Sequence, residues 1–168
     1  MKEITTTTIY EEKVVKTFLK DFYNERMKTT KIILNILIGT IIIYTLTKDK
    51  ITTVDIITFV FAALGILEIN TNILPNINYY KLSKKKDSIL NTKIKYTFKK
   101  DNFKISSNKD EYIEYSELKK IIEVEKAYYL YITNSRALIV DKTNLSEDKQ
   151  EKLTNIFKEK VSTYKYKK

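Results

Sequence analysis

The chain has 168 residues and a formal net charge of +10, and it contains no Cys, His or Trp, only two Gly and one Pro. Without His or Cys there is no His-based catalytic triad, no thiolate nucleophile and no ordinary zinc site. Both glycines lie in apolar runs, so no Gly-rich loop can hold a phosphate, and no acidic pair lies in an apolar setting. We therefore expect no enzyme, no cofactor and no metal site.

Residues 1–29 predict a short strand followed by an amphipathic helix, both cytoplasmic. Residues 3–9 are β-branched and glycine-free, which favours a strand. Thr8 and Glu11 have the spacing of a capping box, and apolar residues then recur with a helical period. Because Asp21 and Glu25 lie on the polar side of this helix, packing against protein is favoured over a position on the bilayer surface.

Residues 30–69 contain two apolar runs, 32–47 and 51–67, separated by three charged residues. A bilayer core of about 30 Å takes about 20 helical residues, so both runs are slightly short. The first run is apolar nearly all round, which favours a transmembrane helical hairpin over the alternative, a buried hairpin in a soluble domain. Basic residues flank the pair on both sides, and the positive-inside rule then predicts a protein of the cytoplasmic membrane with both termini cytoplasmic.

Polar and small residues within the first run are candidates for helix association. They are Asn35 and Gly39, which would support the alternative of a protein that acts through its transmembrane helices. In a bilayer, a small residue allows close approach and an amide can bond across helices. The alternative for Asn35 is a hydrogen bond within the hairpin itself.

Residues 70–90 form a basic connector in which Pro75 and several Asn residues end the second apolar helix. Lys84, Lys85 and Lys86 follow within about twenty residues of the membrane exit, where each lysine contributes about 1 kcal/mol of attraction to an anionic leaflet. They are our candidate contacts for anionic lipid headgroups, and the alternative is that they only set topology and solubility. Nucleic acid is not an expected partner. Its binding sites interleave basic and aromatic residues on one exposed face, a pattern that this sequence imitates only weakly.

From residue 91 to residue 163 the apolar period is two, which predicts strands. Ile94, Tyr96 and Phe98 share one side of the first strand, and five more strands are predicted in 103–106, 112–115, 121–125, 128–132 and 137–140. Asn134 and Ser135 predict a tight hairpin, Ser146 caps a last helix, and residues 164–168 are a basic tail. The fold class is therefore α+β, in which a strongly bent antiparallel sheet or partial barrel is closed by a C-terminal helix.

The apolar strand positions and the last helix also carry a family resemblance. The residues concerned are Phe98, Phe103, Ile113, Leu118, Ile121, Ile122, Tyr129, Leu130, Tyr131, Ile139, Val140, Lys142 and the helix from Ser146, with residues 8–12 near the start. This pattern resembles the bacterial YcxB-like membrane proteins, whose C-terminal domain is similar to pleckstrin-homology (PH) folds. A PH-like domain has seven strands, so the resemblance implies one strand more than the six, and residues 3–9 are our candidate for it. The family lends no established activity.

We therefore predict a membrane-anchored, non-enzymatic interaction module that faces the cytoplasm. It would bind a protein partner or anionic lipid at the inner leaflet. The alternative is a small two-span protein of a self-protection (immunity-like) or regulatory kind, which acts through its transmembrane helices.

Overall fold

The computed structural model describes residues 3–71, 73–85 and 88–167, with the backbone alone for 68–70. The chain divides into two compact units, residues 1–14 with 89–168 and residues 15–88. The described part of the first unit contains two sheets and a helix, and the second is helical. The predicted α+β class is confirmed.

Helix α1 (Glu12–Leu46) is continuous over 35 residues. The sequence predicted an amphipathic helix and a separate membrane span, but no Gly or Pro interrupts residues 12–38, so one helix continues through both. At about 1.5 Å per residue its length is about 52 Å, more than the thickness of a bilayer core. Among the described helices, α1 is the one that is long and apolar enough to cross a membrane, by length and composition.

Helices α2 (Thr53–Asn70) and α3 (Ile73–Ser83) follow. The apolar part of α2, Thr53–Leu67, is shorter than a full span. The sequence predicted that Pro75 ends the second helix, whereas α2 ends at Asn70 and Pro75 lies in the first turn of α3. Proline is tolerated there because the first N–H groups of a helix have no intrahelical acceptor.

The first sheet is antiparallel and has the order β1-β2-β3-β4. Its strands are β1 (Ile4–Ile9), β2 (Lys93–Phe98), β3 (Asn102–Ser106) and β4 (Asp110–Glu114). Ile4 lies opposite Phe98 and Ile9 lies opposite Lys93, so the predicted pairing of the first strand with the later sheet is confirmed. The segment that contains α1, α2 and α3 is thus inserted between two neighbouring strands of one sheet.

The second sheet has the order β7-β6-β5-β8. A 3-10 turn (Tyr115–Glu117) precedes it, and its strands are β5 (Lys120–Glu123), β6 (Ala127–Tyr131), β7 (Ala137–Asp141) and β8 (Tyr164–Tyr166). Helix α4 (Glu147–Lys160) lies between β7 and β8 along the chain. Two separate sheets therefore stand where one bent sheet was expected. The sequence did not predict β8, which pairs in parallel with β5.

Three local expectations also changed. Thr8 lies in β1 rather than capping a helix, and its hydroxyl oxygen accepts the Asp141 N–H at 2.9 Å. The turn between β6 and β7 spans residues 132–136 instead of two residues, and the Thr133 hydroxyl accepts the Arg136 N–H at 2.9 Å. Ser146 is at the predicted N-cap of α4 but makes no side-chain capping bond.

A shared hydrophobic core joins both sheets to α4. Ile94, Tyr96 and Phe98 point inward as predicted. Phe157 of α4 packs edge-on against Phe98 and Tyr128, with ring centroids 5.6 and 5.3 Å apart. Because Phe98 belongs to the first sheet and Tyr128 to the second, burying Phe157 requires both sheets to be in place.

Tyr10 directly follows β1 and connects the first sheet to the second, next to the two ends of the inserted segment. Its backbone N–H donates to the Thr92 carbonyl, and its own carbonyl accepts the Asn91 N–H, both at 3.0 Å. Asn91 has a φ of 61°, a left-handed conformation that Asn tolerates better than most residues. The buried Tyr10 hydroxyl accepts the Ile139 N–H of β7 at 2.9 Å and lies 3.0 Å from the Tyr96 hydroxyl.

Replacing Tyr10 with Phe should lower the free energy of unfolding of the α+β domain by about 1–3 kcal/mol, because a buried N–H loses its acceptor. The Ile139 amide should exchange faster with deuterium, measured by mass spectrometry on the full chain in detergent micelles. Tyr166→Phe is the control, since Tyr166 is 56% exposed. Unchanged exchange at Ile139 in the Tyr10 variant would contradict this role.

Candidate functional site

The predicted lipid-contacting lysines follow α3. Lys84 and Lys85 are exposed, and Lys86 lies outside the described residues. The Lys84 ammonium lies over the ring of Tyr80, 4.4 Å from its centroid. A cation–π contact orients an ammonium without neutralising it. Lys84 therefore keeps a charge that an anionic headgroup can approach.

The predicted helix-association residues, Asn35 and Gly39, are both half-buried in α1. A Cβ added at Gly39 would meet no heavy atom within 4 Å, whereas one added at Gly65 would lie 3.4 Å from the Ile38 Cδ1. Of the two glycines, Gly65 is therefore the one in contact with a side chain of the neighbouring helix. The sequence signal for it was a second small residue in an apolar run, which is a weak signal by itself.

Asp55 is the one acidic residue in the first turn of α2, and its carboxylate is held by several hydrogen bonds. Asp55 is 7% exposed, and one of its carboxylate oxygens accepts a hydrogen bond from the Lys48 ammonium at 2.5 Å. The other oxygen accepts the Thr52 backbone N–H and hydroxyl at 2.9 and 2.7 Å, which completes a capping box. The carboxylate therefore has hydrogen-bond partners on both oxygens, as a charge close to apolar surroundings requires.

The α+β domain contains a buried ion pair between Glu123 of β5 and Lys142, which follows β7. Each residue is 8% exposed, and the Lys142 Nζ lies 2.5 Å from a Glu123 carboxylate oxygen. The Tyr164 hydroxyl of β8 donates to the other oxygen. The same ammonium lies 5.0 Å from the centroid of the Tyr128 ring. One cluster thereby joins β5, β8 and the end of β7.

This cluster has the properties of a structural contact. Both charges are paired inside the domain, and the carboxylate has partners on both oxygens. Among the described residues, no group of three or more Asp and Glu side chains could hold a metal ion. Sequence reasoning assigned no role to Glu123, although Lys142 was among the residues that carry the family resemblance.

Comparison with known proteins supports the resemblance over the strands and the last helix. Residues 98–157 match the family model described as YcxB-like protein, which confirms the predicted resemblance for that part of the chain. The match runs from the end of β2 into α4, and it includes both Glu123 and Lys142. No curated protein and no solved structure matches the chain.

Removing one partner of the buried ion pair should destabilise the domain by about 3–5 kcal/mol, because the other charge stays buried without compensation. Glu123→Gln and Lys142→Met test this by urea unfolding of the full chain in detergent. The double variant should lose less than the sum of the two single losses, since neither uncompensated charge remains.

The pair Lys104 and Asp110, 2.7 Å apart with side chains 27 and 55% exposed, supplies the less buried control. Lys104→Met or Asp110→Asn should cost about 0–1 kcal/mol, as surface ion pairs do. Single losses at Glu123 and Lys142 as small as those of the control would contradict a stabilising role for the buried pair.

The stability of the domain should decrease in alkaline solution. Burial raises the pKa of Tyr128 to about 12, with a smaller contribution from the charge of Glu123 and an opposing one from the hydrogen bond with Thr154. In the unfolded chain a tyrosine titrates at about 10. Between these pH values the unfolded state loses the proton and the folded state keeps it, so stability is intact below about pH 10 and is lost toward pH 12.

Tyr128→Phe should therefore give a shallower decrease of the unfolding free energy between about pH 10 and 12. Urea unfolding at several pH values measures the slope, with Tyr166→Phe as the exposed control. A slope that is the same in the Tyr128 variant and the wild type would be evidence against burial of an un-ionised hydroxyl.

Proposed function

We propose that the chain is a membrane-anchored, non-enzymatic interaction module whose α+β domain faces the cytoplasm and binds a protein partner or anionic lipid at the inner leaflet. The observation that carries the proposal is the exposed apolar surface of α1 and α2. Ile43, Leu46 and Phe61 are 65, 67 and 69% exposed, and many large apolar residues of both helices are similar. So large an apolar surface is unfavourable in water and is favourable against lipid.

The pairing of β1 with β2 supports a hairpin that crosses the membrane twice. β1 precedes the inserted segment and β2 follows it, so the two flanks of the segment belong to one sheet. A sheet cannot form across a bilayer, and the segment must return to the side on which it started. If α1 crosses, α2 is the helix that crosses back.

Contacts within the helical unit support the same hairpin. The Lys48–Asp55 ion pair is next to the linker, Ile38 approaches Gly65 farther away, and the Lys16 ammonium lies 4.6 Å from the centroid of the Tyr79 ring. Each step back along α1 is matched by a step forward along α2 and α3. That progression is typical of antiparallel helices.

The strand order supports a PH-like partial barrel, in agreement with the family resemblance. Four antiparallel strands, then three more, then a helix account for the seven strands and closing helix that the resemblance implies. The two sheets meet where Thr8 and Tyr10 accept backbone N–H groups of Asp141 and Ile139. β8 is an addition to this order.

Lysine positions support the choice of partner. Lys84 and Lys85 are exposed after α3, and the chain as a whole carries a net charge of +10. An anionic cytoplasmic leaflet attracts such segments near a membrane exit. A protein partner at the same leaflet is the other class of ligand that this proposal includes.

The absence of cysteine from the sequence allows a direct topology test with single substitutions. Asp49→Cys lies in the linker, and Asn108→Cys lies in the exposed turn between β3 and β4. In intact bacterial spheroplasts, an impermeant maleimide should label Asp49→Cys at once and Asn108→Cys only after the membrane is opened. Wild-type chain should stay with the membrane during alkaline carbonate extraction.

Two results would overturn the proposal. Release of the chain by carbonate would exclude an integral anchor, and labelling of Asn108→Cys in intact spheroplasts would put the domain on the wrong side. Protection of Asp49→Cys in a carbonate-resistant chain would contradict the two-span topology and leave the anchor itself supported.

A further inference from the structure

A cavity within the helical unit lies between α1 and the joint of α2 and α3. Its volume is about 90 Å³, more than one water molecule needs. The α1 wall is Tyr23, Met27, Lys31 and Leu34, and the other wall includes Leu74 and Pro75. On the second wall, α2 ends at Asn70 and α3 begins at Ile73.

The lining has the chemistry of an amphiphile site. Apolar side chains supply most of the walls, and among the described lining residues the Lys31 ammonium is the one charged group. Lys31 donates to the Asn24 side-chain oxygen at 3.0 Å, and this acceptor is neutral. None of the described lining residues carries a carboxylate. An anionic head beside Lys31 and an acyl chain along the apolar wall would match both parts.

The position of the cavity along the helices matches the depth of lipid headgroups. Lys31 immediately precedes the first apolar run, and Thr71, on the other wall, follows the apolar part of α2 by four residues. In a hairpin of the proposed kind, both walls therefore lie at one interface of the bilayer. Lysines at such positions extend their ammonium groups toward headgroups.

We infer that this cavity binds an anionic phospholipid of the surrounding bilayer, with the headgroup phosphate on Lys31 and an acyl chain against Leu34 and Leu74. The inference rests on the proposed membrane anchor and deepens it, because it gives the lipid a defined site. This site is distinct in sequence from the lysines that follow α3.

The full chain, purified in mild detergent and mixed with equal amounts of phosphatidylglycerol and phosphatidylcholine, can be examined by native mass spectrometry. Wild type should retain phosphatidylglycerol in preference to phosphatidylcholine, and Lys31→Gln should reduce that preference about fivefold. Lys28→Gln, an exposed lysine of the same helix, is the matched control and should keep it. Leu74→Trp should lower retention of both lipids by filling the cavity, unlike Leu37→Trp, because Leu37 is not among the residues that line it.

Equal lipid preference in wild type and Lys31→Gln would overturn the inference, and so would equal loss in Lys28→Gln. Unchanged retention in Leu74→Trp would exclude the cavity as the acyl site. Carbonate extraction of each variant separates these results from failure of the anchor. A carbonate-resistant chain without selective lipid retention would contradict the cavity site alone.

Discussion

The pairing of β1 with β2 is the constraint on which the rest of the structure depends. About eighty residues separate the two strands along the chain, yet they are hydrogen-bonded neighbours from Ile4 opposite Phe98 to Ile9 opposite Lys93. The pairing closes the first sheet and supplies Thr8 and Tyr10 to the edge of β7. It also requires that the two ends of the inserted helical segment lie next to each other, because one end follows β1 and the other precedes β2. One long-range contact therefore sets both the closure of the first sheet and the return of the inserted segment.

Such a contact has an entropic cost that the core must offset. Closing a loop costs free energy that grows slowly with its length, and a helical insertion of this kind is stiffer than a flexible loop. The gain comes from the core, because Ile4 is buried beside residues of both sheets and α4. Removal of β1 would therefore affect both sheets, even though it pairs along its length with β2 only.

The sequence could predict strands in which apolar and polar side chains alternate strongly. It could not predict elements whose bounds depend on helix continuity or on contacts with distant residues. Ile94, Tyr96 and Phe98 alternate with polar residues, so β2 and its inward face followed from period alone. The predicted boundary between an amphipathic helix and a membrane span is absent from α1. The polar and the apolar parts join there without a helix-breaking residue. β8 was missed because Tyr164–Tyr166 is three residues long and is held by the edge of β5, a contact that no local pattern contains. The cavity beside Lys31 was missed for the same reason, since its two walls are forty residues apart.

Tyrosine carries much of the specificity in a domain without His, Cys or Trp. The chain has 13 tyrosines, and several bury the ring while the hydroxyl joins separate elements. Tyr10 accepts from β7, Tyr115 donates to the Lys99 carbonyl, and Tyr128 donates to the Gln150 carbonyl. Each such residue supplies apolar area together with directional hydrogen bonds, which the aliphatic residues of the core cannot do. The two sheets and α4 are therefore fixed relative to one another by hydroxyl contacts as well as by packing.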